Sequence, residues 1–313
     1  MKIAVVGSYG AGLTMRVPRS PEAGETVSGG VFDSGPGGKG SNQAVAAARL
    51  GAEASLLTAV GADDFGRAAR ELWAREGVDA SKTLTGAGAT MVGFILVEPS
   101  GENRIAIAPG ALDELDAAAV DAFRDEIAAA DVLVVSMEIP LAAVVHALRT
   151  AREVGTTTLL NPAPARALPD EAWALIDIIT PNQTEAPVLL GREPGDGATE
   201  HELVTALRAR TGGSVLLTRG AAGALLADAE GEREIAPVPP VAVVDTTGAG
   251  DSFTAALAVA VAAGASLADA AAYAAHAGAH TVAAEGVVPA LPTAAQLPAL
   301  PSLPNPGSIG PTR

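Results

Sequence analysis

The sequence has no cysteine, which excludes disulfides, thiolate metal sites and a cysteine nucleophile and fits a reducing compartment. Aromatic residues are almost as scarce, with five Phe, two Trp and two Tyr in 313 residues. A base-stacking surface needs aromatic rings, and one that tracks a phosphate backbone needs clustered basic charge. Here 20 Lys and Arg stand against 36 Asp and Glu, a net charge of −16. Nucleic acid and anionic membranes are therefore not expected as partners. The same field repels a small anionic ligand unless backbone N–H groups or a cation offset it locally. Long apolar runs are missing too. Met1-Lys2 and residues 3–6 are too short for the apolar region of a signal peptide. No stretch reaches the roughly 18 apolar residues that span a bilayer, and residues 253–265 are Ala-rich and short. The expectation is a globular cytoplasmic chain.

What is present is small. Hydrophobic residues make up 49 %, largely alanine and valine, so the core is expected to be close-packed with little aromatic bulk. Short β-branched runs alternate with alanine-rich stretches, the order of a layered α/β fold. Strands are expected at 3–6, 55–60, 132–135, 156–160, 176–179 and 214–217, with a hairpin of 223–227 and 233–236 at the sheet edge. Helices are expected at 41–50, 64–76, 112–128, 141–153, 201–209, 251–263 and 267–284. Two stretches, 13–33 and 90–108, read as strands with no helix between them and are expected to pair as a small antiparallel sheet, a flap over a site. The prediction is a three-layer α/β sandwich with a mostly parallel central sheet and a discontinuous β lid. The body takes 1–12, 34–89 and 109–290, the lid 13–33 and 90–108, and 291–313 is a Pro-rich, unfolded tail.

Ligands of open parallel sheets bind outside the carboxyl ends of the strands. The residues just past the expected strands are Gly7-Ser8, Glu138, Asn161, Asn182 with Glu185, and Thr218 with Gly220. Several polar groups at one edge of one sheet indicate a site. The segment Asp245-Thr246-Thr247-Gly248-Ala249-Gly250-Asp251 precedes an apolar helix. Small residues there leave backbone N–H groups free, and the helix N-terminus adds partial positive charge, which suits a transferring phosphoryl group. Asp251 can take a proton from an attacking hydroxyl. Asp251 is equally an ordinary N-cap residue, and the pair of aspartates flanking the run favours catalysis.

Gly35-Pro36-Gly37-Gly38-Lys39-Gly40 matches G-x-G-x-x-G literally. Pro36 sits inside it, however, and no βαβ unit with a ribose-binding acid surrounds it. The Walker pattern fails as well, because Asp33 holds the first glycine position and Gly40 the Ser/Thr position. A tight turn into a helix is the better reading, with Lys39 and Asn42 as donors to a compact ligand. His276 and His280 have the i, i+4 spacing of a metal pair but no third ligand, so a packed or nucleotide-facing histidine is expected.

Over about residues 3–290 the chain resembles the ribokinase-like (PfkB-type) family of ATP-dependent carbohydrate kinases. The residues that carry this are Gly37-Gly38-Lys39-Gly40-Ser41-Asn42-Gln43-Ala44, the Asp245 to Asp251 run, Asn161-Pro162-Ala163-Pro164-Ala165-Arg166 and Thr180-Pro181-Asn182-Gln183-Thr184-Glu185-Ala186. The last two are similar to the ribokinase branch. The resemblance implies phosphoryl transfer from ATP to a sugar hydroxyl. It makes Asp251 the general base and gives Gly248, Ala249 and Gly250 the anion hole. It assigns Gly38, Lys39, Gly40, Asn42 and Glu138 to the sugar pocket, and Asn182, Thr218, Arg219, Gly220, Gly223, Gly250 and His276 to the nucleotide. Glu185 goes to Mg²⁺ through water, and Asp245, Thr247, Thr281, Ala284 and Gly286 to a monovalent cation, K⁺ by preference. It also implies a homodimer formed through the lid.

One departure stands out. The family places Asn and Asp in a G-S-x-N-x-D pattern after the first strand to hold sugar hydroxyls, and here those positions are Gly10 and Gly12. Ala290 also stands where the branch often supplies a hydroxyl. The expectation is weak ribose binding, or an acceptor that is bulkier or less hydroxylated there, with a nucleoside, hexose or keto-acid sugar as alternatives. A silent sugar- or nucleotide-binding homologue and a dehydrogenase are the remaining readings.

Overall fold

Runs of about five apolar residues are too short for helices and suit a sheet covered on both faces. In the computed structural model, which describes residues 1–301, they become β1 (Lys2–Val6), β2 (Gly10–Arg16), β3 (Val31–Gly37), β4 (Glu53–Leu57), β5 (Ala59–Gly61), β6 (Leu84–Gly86), β7 (Val92–Val97), β8 (Asn103–Ala108), β9 (Val132–Ser136), β10 (Thr157–Asn161), β11 (Ile178–Ile179), β12 (Ser214–Thr218), β13 (Ala224–Asp228) and β14 (Gly231–Ile235). The helices are α1 (Lys39–Arg49), α2 (Asp64–Glu76), α3 (Ala117–Ala122), α4 (Arg124–Ala129), α5 (Leu141–Val154), α6 (Asp170–Trp173), α7 (Glu185–Leu189), α8 (Glu200–Thr211), α9 (Ala249–Ala262), α10 (Leu267–Thr281) and α11 (Val287–Ala290).

The main sheet of the described residues has the order β14-β13-β12-β11-β10-β9-β1-β4. From β4 to β12 it is parallel, and β13 and β14 add the antiparallel edge expected of the hairpin. Alternate residues of β1 serve opposite cores. Ile3 and Val5 pack in one with Ala44 of α1, Leu257 of α9 and Tyr273 of α10, while Ala4 and Val6 pack in the other with Leu148 of α5 and Leu207 of α8. This is the three-layer sandwich. Part of the scarce aromatic bulk sits at the start of α1, where Tyr9 and Trp73 meet edge to face at 5.2 Å and Trp73 Nε1 donates to Ser41 Oγ at 2.9 Å.

The small sheet corrects the expected pairing. Its order is β3-β2-β7-β8. Each arm is an antiparallel hairpin, but the two arms join through β2 and β7 in parallel, because both of those strands are the outgoing strands of their hairpins. The sheet reaches from Gly10 to Gly37, so Gly10 and Gly12 belong to it.

Four further differences follow from local chemistry. The single helix expected at 112–128 is a 3₁₀ turn followed by α3 and α4, since Asp116 breaks the run by capping α3 through Ala119 N–H at 3.0 Å. The strand expected at 55–60 divides at Thr58 into β4 and β5, the latter paired with β6. The last long helix stops at Thr281 rather than at 284. The expected tail from 291 begins inside the fold. Leu291 is buried, and Leu297 and Leu300 pack against the core; residues 302–313 lie outside the described residues. No described helix is long and apolar enough to cross a membrane.

Candidate active site

The chain adds β4 on one side of β1 and β9 to β12 on the other, so the order reverses between β1 and β9. A crevice opens at such a switch point beyond the carboxyl ends of the strands. Ser8, after β1, donates through Oγ to the carboxylate of Glu138, after β9, and so bridges the two sides. The same carboxylate accepts the Lys39 N–H at 3.0 Å and lies 3.7 Å from Lys39 Nζ. α1 has no side-chain cap of its own, and Glu138 supplies the negative charge its N-terminus favours. The glycine string is therefore a packing device rather than a dinucleotide loop. A Cβ on Gly38, whose φ is 91°, would stand 2.6 Å from Tyr9 Cα, and one on Gly40 would stand 2.6 Å from Gly7 Cα.

Asp251 is not an N-cap. α9 starts at Ala249 after Gly248 in the left-handed region (φ 82°) with no side-chain cap, which puts Asp251 in the first turn. Asn42 Nδ2 donates to one of its oxygens at 2.8 Å and Gln43 Nε2 to the other at 3.1 Å. Only 7 % of the residue is exposed. Burial pushes its pKa up to about 6, against the opposing Lys39 charge and Asn42 amide, with Glu138 adding to the rise and Gln43 opposing it. A carboxylate offers about four acceptor positions, so two remain. Burial opposes charge on Lys39, but Asp251, Glu138 and Glu185 outweigh it and raise its pKa. Gly248 needs its glycine, because a Cβ there would lie 2.6 Å from Val287 Cγ1.

A cleft of about 460 Å³ is lined by Lys39, Glu138, Glu185, Met91, Ile107 and Arg166, among others. Asp251 is not among its lining residues, because its oxygens are drawn onto the α1 amides. A hollow of about 490 Å³ near the start of α2 contains none of the motif residues. Its Asp63 caps α2 and holds Thr90, and its Arg70 is bonded to Thr83 and Thr85.

On the far side, Asn182 and Thr218 form an isolated parallel bridge. Asn182 Oδ1 accepts the N–H groups of Thr184 and Glu185 at 2.9 Å each. Gly220 and Gly223 have φ of 54° and 82°, and a Cβ on Gly223 would overlap the Ile235 carbonyl. The Arg219 guanidinium is tied down by Glu200, Glu234 and the carbonyls of Ala222 and Ala224. It fastens the turn after β12 and is not free for a ligand. His276 lies partly buried on α10, outside the hydrogen bonds around Asp251.

Glu185 accepts the Asn182 N–H at 2.8 Å through one oxygen, and the other has no hydrogen-bond partner among the described residues. Burial raises its pKa, with Asn182 and Lys39 opposing. A partly buried carboxylate with a bare oxygen on the cleft fits hydrated Mg²⁺. Asp245 accepts from Thr247 N–H at 2.9 Å and Gly286 N–H at 3.3 Å, so those three residues meet. The Thr281 hydroxyl is engaged within the body, 2.7 Å from Ser252 Oγ and 3.0 Å from the Ala277 carbonyl; Ala284 offers a cation only main chain. Arg49 secures this region. It holds Glu76 at 2.8 and 2.9 Å and donates to the carbonyls of Val288 at 2.7 Å and Leu291 at 2.9 Å, next to the Val287 that presses on Gly248.

Gln43 was not among the expected site residues, although its amide reaches both Asp251 and Asn161 Oδ1 at 3.1 Å. Adjacent helix positions point about 100° apart, so sequence spacing offers no signal for the pair Asn42 and Gln43. Their convergence comes from α9 packing alongside α1.

Beside the buried Asp251 carboxylate, the N–H groups of Gly248 and Gly250 have no partner among the described residues, while that of Ala249 donates to the Thr246 carbonyl at 3.3 Å. The chain belongs to the pfkB family of carbohydrate kinases, whose family model matches residues 1–294. It is 36 % identical to the ribokinase of Schizosaccharomyces pombe over 94 % of this chain and 95 % of that one. It is 38 % identical to the ribokinase of Haemophilus influenzae over 80 % and 82 %. The solved Arabidopsis thaliana ribokinase, complexed with ribose and ATP, superposes with a TM-score of 0.88 at 28 % identity, covering 94 % of this chain and 96 % of that one. The protein is thus an enzyme that moves the γ-phosphoryl group of ATP to a sugar hydroxyl, with the ATP and Mg²⁺ dependence of its family.

Proposed function

We propose that Asp251 is the general base, taking the proton of the acceptor hydroxyl in transfer of the γ-phosphoryl group. The N–H groups of Gly248, Ala249 and Gly250 at the head of α9 receive the charge on the phosphoryl oxygens. The observation that carries this is the Asp251 carboxylate itself, buried in the first turn of α9 with a pKa of about 6 and two acceptor positions unused. A base poised near working pH is what proton abstraction requires. Lys39, Asn42 and Glu138, with Gly10, Gly12, Gly38 and Gly40 around them, bound the acceptor. Asn182, Thr218, Gly220, Gly223, His276 and the main chain of Arg219 take the nucleotide. Glu185 holds Mg²⁺ through water, and the bound ion offsets enough charge for ATP to approach a protein of net charge −16. Asp245 and Thr247, with main chain at Thr281, Ala284 and Gly286, bind a monovalent cation, K⁺ by preference, that steadies the anion hole. With ATP as donor, the cytoplasm is the compartment. Phe32 and Phe94, on the face of the small sheet turned from the cleft, remain 56 % and 42 % exposed, and a second copy of the chain is the partner for that face.

The test is ADP release over pentoses, hexoses and nucleosides, with and without K⁺, for the wild type and Asp251→Asn. The variant is expected to lose about 10²–10⁴ in kcat while calorimetry finds nucleotide binding retained. Turnover near the wild-type value removes Asp251 as the base.

A further inference from the structure

On the face of the small sheet that carries the cleft-lining Ile107, three glycines stand side by side. Gly35, Gly12 and Gly93 stand in register across β3, β2 and β7, and Ile107 of β8 continues the row. Residues paired across strands share a face. Ile107, in this row, lines the cleft beside Lys39 and Glu138, as does Met91, two residues before Gly93. A Cβ on Gly35 or Gly93 would meet nothing within 4 Å, and one on Gly12 only ordinary contacts, Gly35 O at 3.6 Å and Ile95 Cδ1 at 4.0 Å. None of the three has a positive φ, so the backbone does not demand glycine, and glycine weakens a strand interior unless something approaches it closely. Gly10 differs, because a Cβ there would overlap Met91 Cε; the thioether occupies that volume. Ile105 and Ile107 are left 60 % and 59 % exposed, apolar surface beside an open floor.

We propose that this floor receives a flat, apolar substituent on the acceptor sugar, as a nucleoside carries, and that Met91 disfavours a free, fully hydroxylated pentose. A hydroxyl set against the thioether loses its water and gains no partner. A planar ring lies on exposed main chain without obstruction and is edged by Met91, Ile95 and Ile107. The proposal rests on the phosphotransferase reading for the reaction, but binding alone tests it.

The experiment is calorimetric titration, without ATP, of uridine, inosine, D-ribose and 2-deoxy-D-ribose into the full chain. The nucleosides bind at least about tenfold more tightly than either free sugar. Gly93→Val puts a side chain on the floor with a residue that strands favour, and it lowers nucleoside affinity by about tenfold or more, so that the preference collapses. Free sugars that bind as tightly as the nucleosides overturn the proposal, as does absence of binding by all four, or a Gly93→Val that weakens all four alike. Should thermal unfolding find Gly93→Val unfolded, Gly35→Val at the other end of the row replaces it and the same ratio decides. ADP release with the same compounds reads the other claim. Nucleosides that bind without ADP release are ligands and not acceptors, which overturns their place in the reaction and leaves the preference of the floor for a planar substituent standing.

Discussion

Around Asp251 the side chains are tied in series, Ser8 to Glu138, Glu138 to Lys39, Asn42 and Gln43 to Asp251, and Gln43 on to Asn161. On the small sheet, Gly35, Gly12 and Gly93 present only main chain and open space. Both regions are rich in glycine, for opposite reasons. On the body side, Gly7, Gly38 and Gly40 let two backbones touch, and nothing larger fits. On the small sheet, the glycines keep a surface clear. On the proposed reading, the chemistry rests on side-chain identity and the choice of acceptor on shape.

That contrast can be broken at its strongest point first. Asp251→Asn removes the group on which the body side converges, and the 10²–10⁴ loss in kcat is the largest effect expected; ADP release measures it. Next comes pH. Asp251 must be ionised to accept a proton, so kcat/KM falls about tenfold per unit below about 6, and the residual activity of Asp251→Asn lacks that limb. The folded state holds this proton more tightly than the unfolded chain, from 3.8 to about 6. Native stability drawn from the protonated form is therefore complete below 3.8 and is lost as pH rises through about 6. Thermal unfolding should find the wild type losing ground to Asp251→Asn across that window and not above it.

Two glycine substitutions separate the two kinds of glycine. Gly40→Ala forces a methyl group to within 2.6 Å of Gly7 Cα, an overpacking that costs about 1–3 kcal/mol in urea unfolding. Gly12→Asp meets only ordinary contacts and should stay within about 0.5 kcal/mol of the wild type, while its carboxylate improves the use of ribose. Equal penalties at the two sites would erase the distinction between a packing glycine and a clearing one.

Much of the body was legible because its signals are local. β-Branched runs mark β1, β9, β10 and β12, and the small residues before Asp251 mark the head of α9. What escaped depends on distant contacts. Helical periodicity continues through 112–128, yet Asp116 prefers to cap, and its side chain ends one segment and starts another. The ion pairs of the Arg219 guanidinium with Glu200 and Glu234 join residues 19 and 15 positions away and leave no local pattern. The direction in which two separate hairpins join has no trace in either of them, so the parallel seam of β2 and β7 was not foreseen. Proline after 291 suggested a free tail, whereas leucines at 291, 297 and 300 find apolar partners in the body.

The Arg49 clamp has a consequence for where this enzyme can end. One guanidinium joins the close of α1 to Glu76 and to the carbonyls of Val288 and Leu291, and Val287 presses on the glycine that begins α9. A chain cut after Ala290 would keep every motif residue and still lose an anchor for the strap packed against the head of α9. The lost contact is the Leu291 carbonyl, some forty residues beyond Asp251.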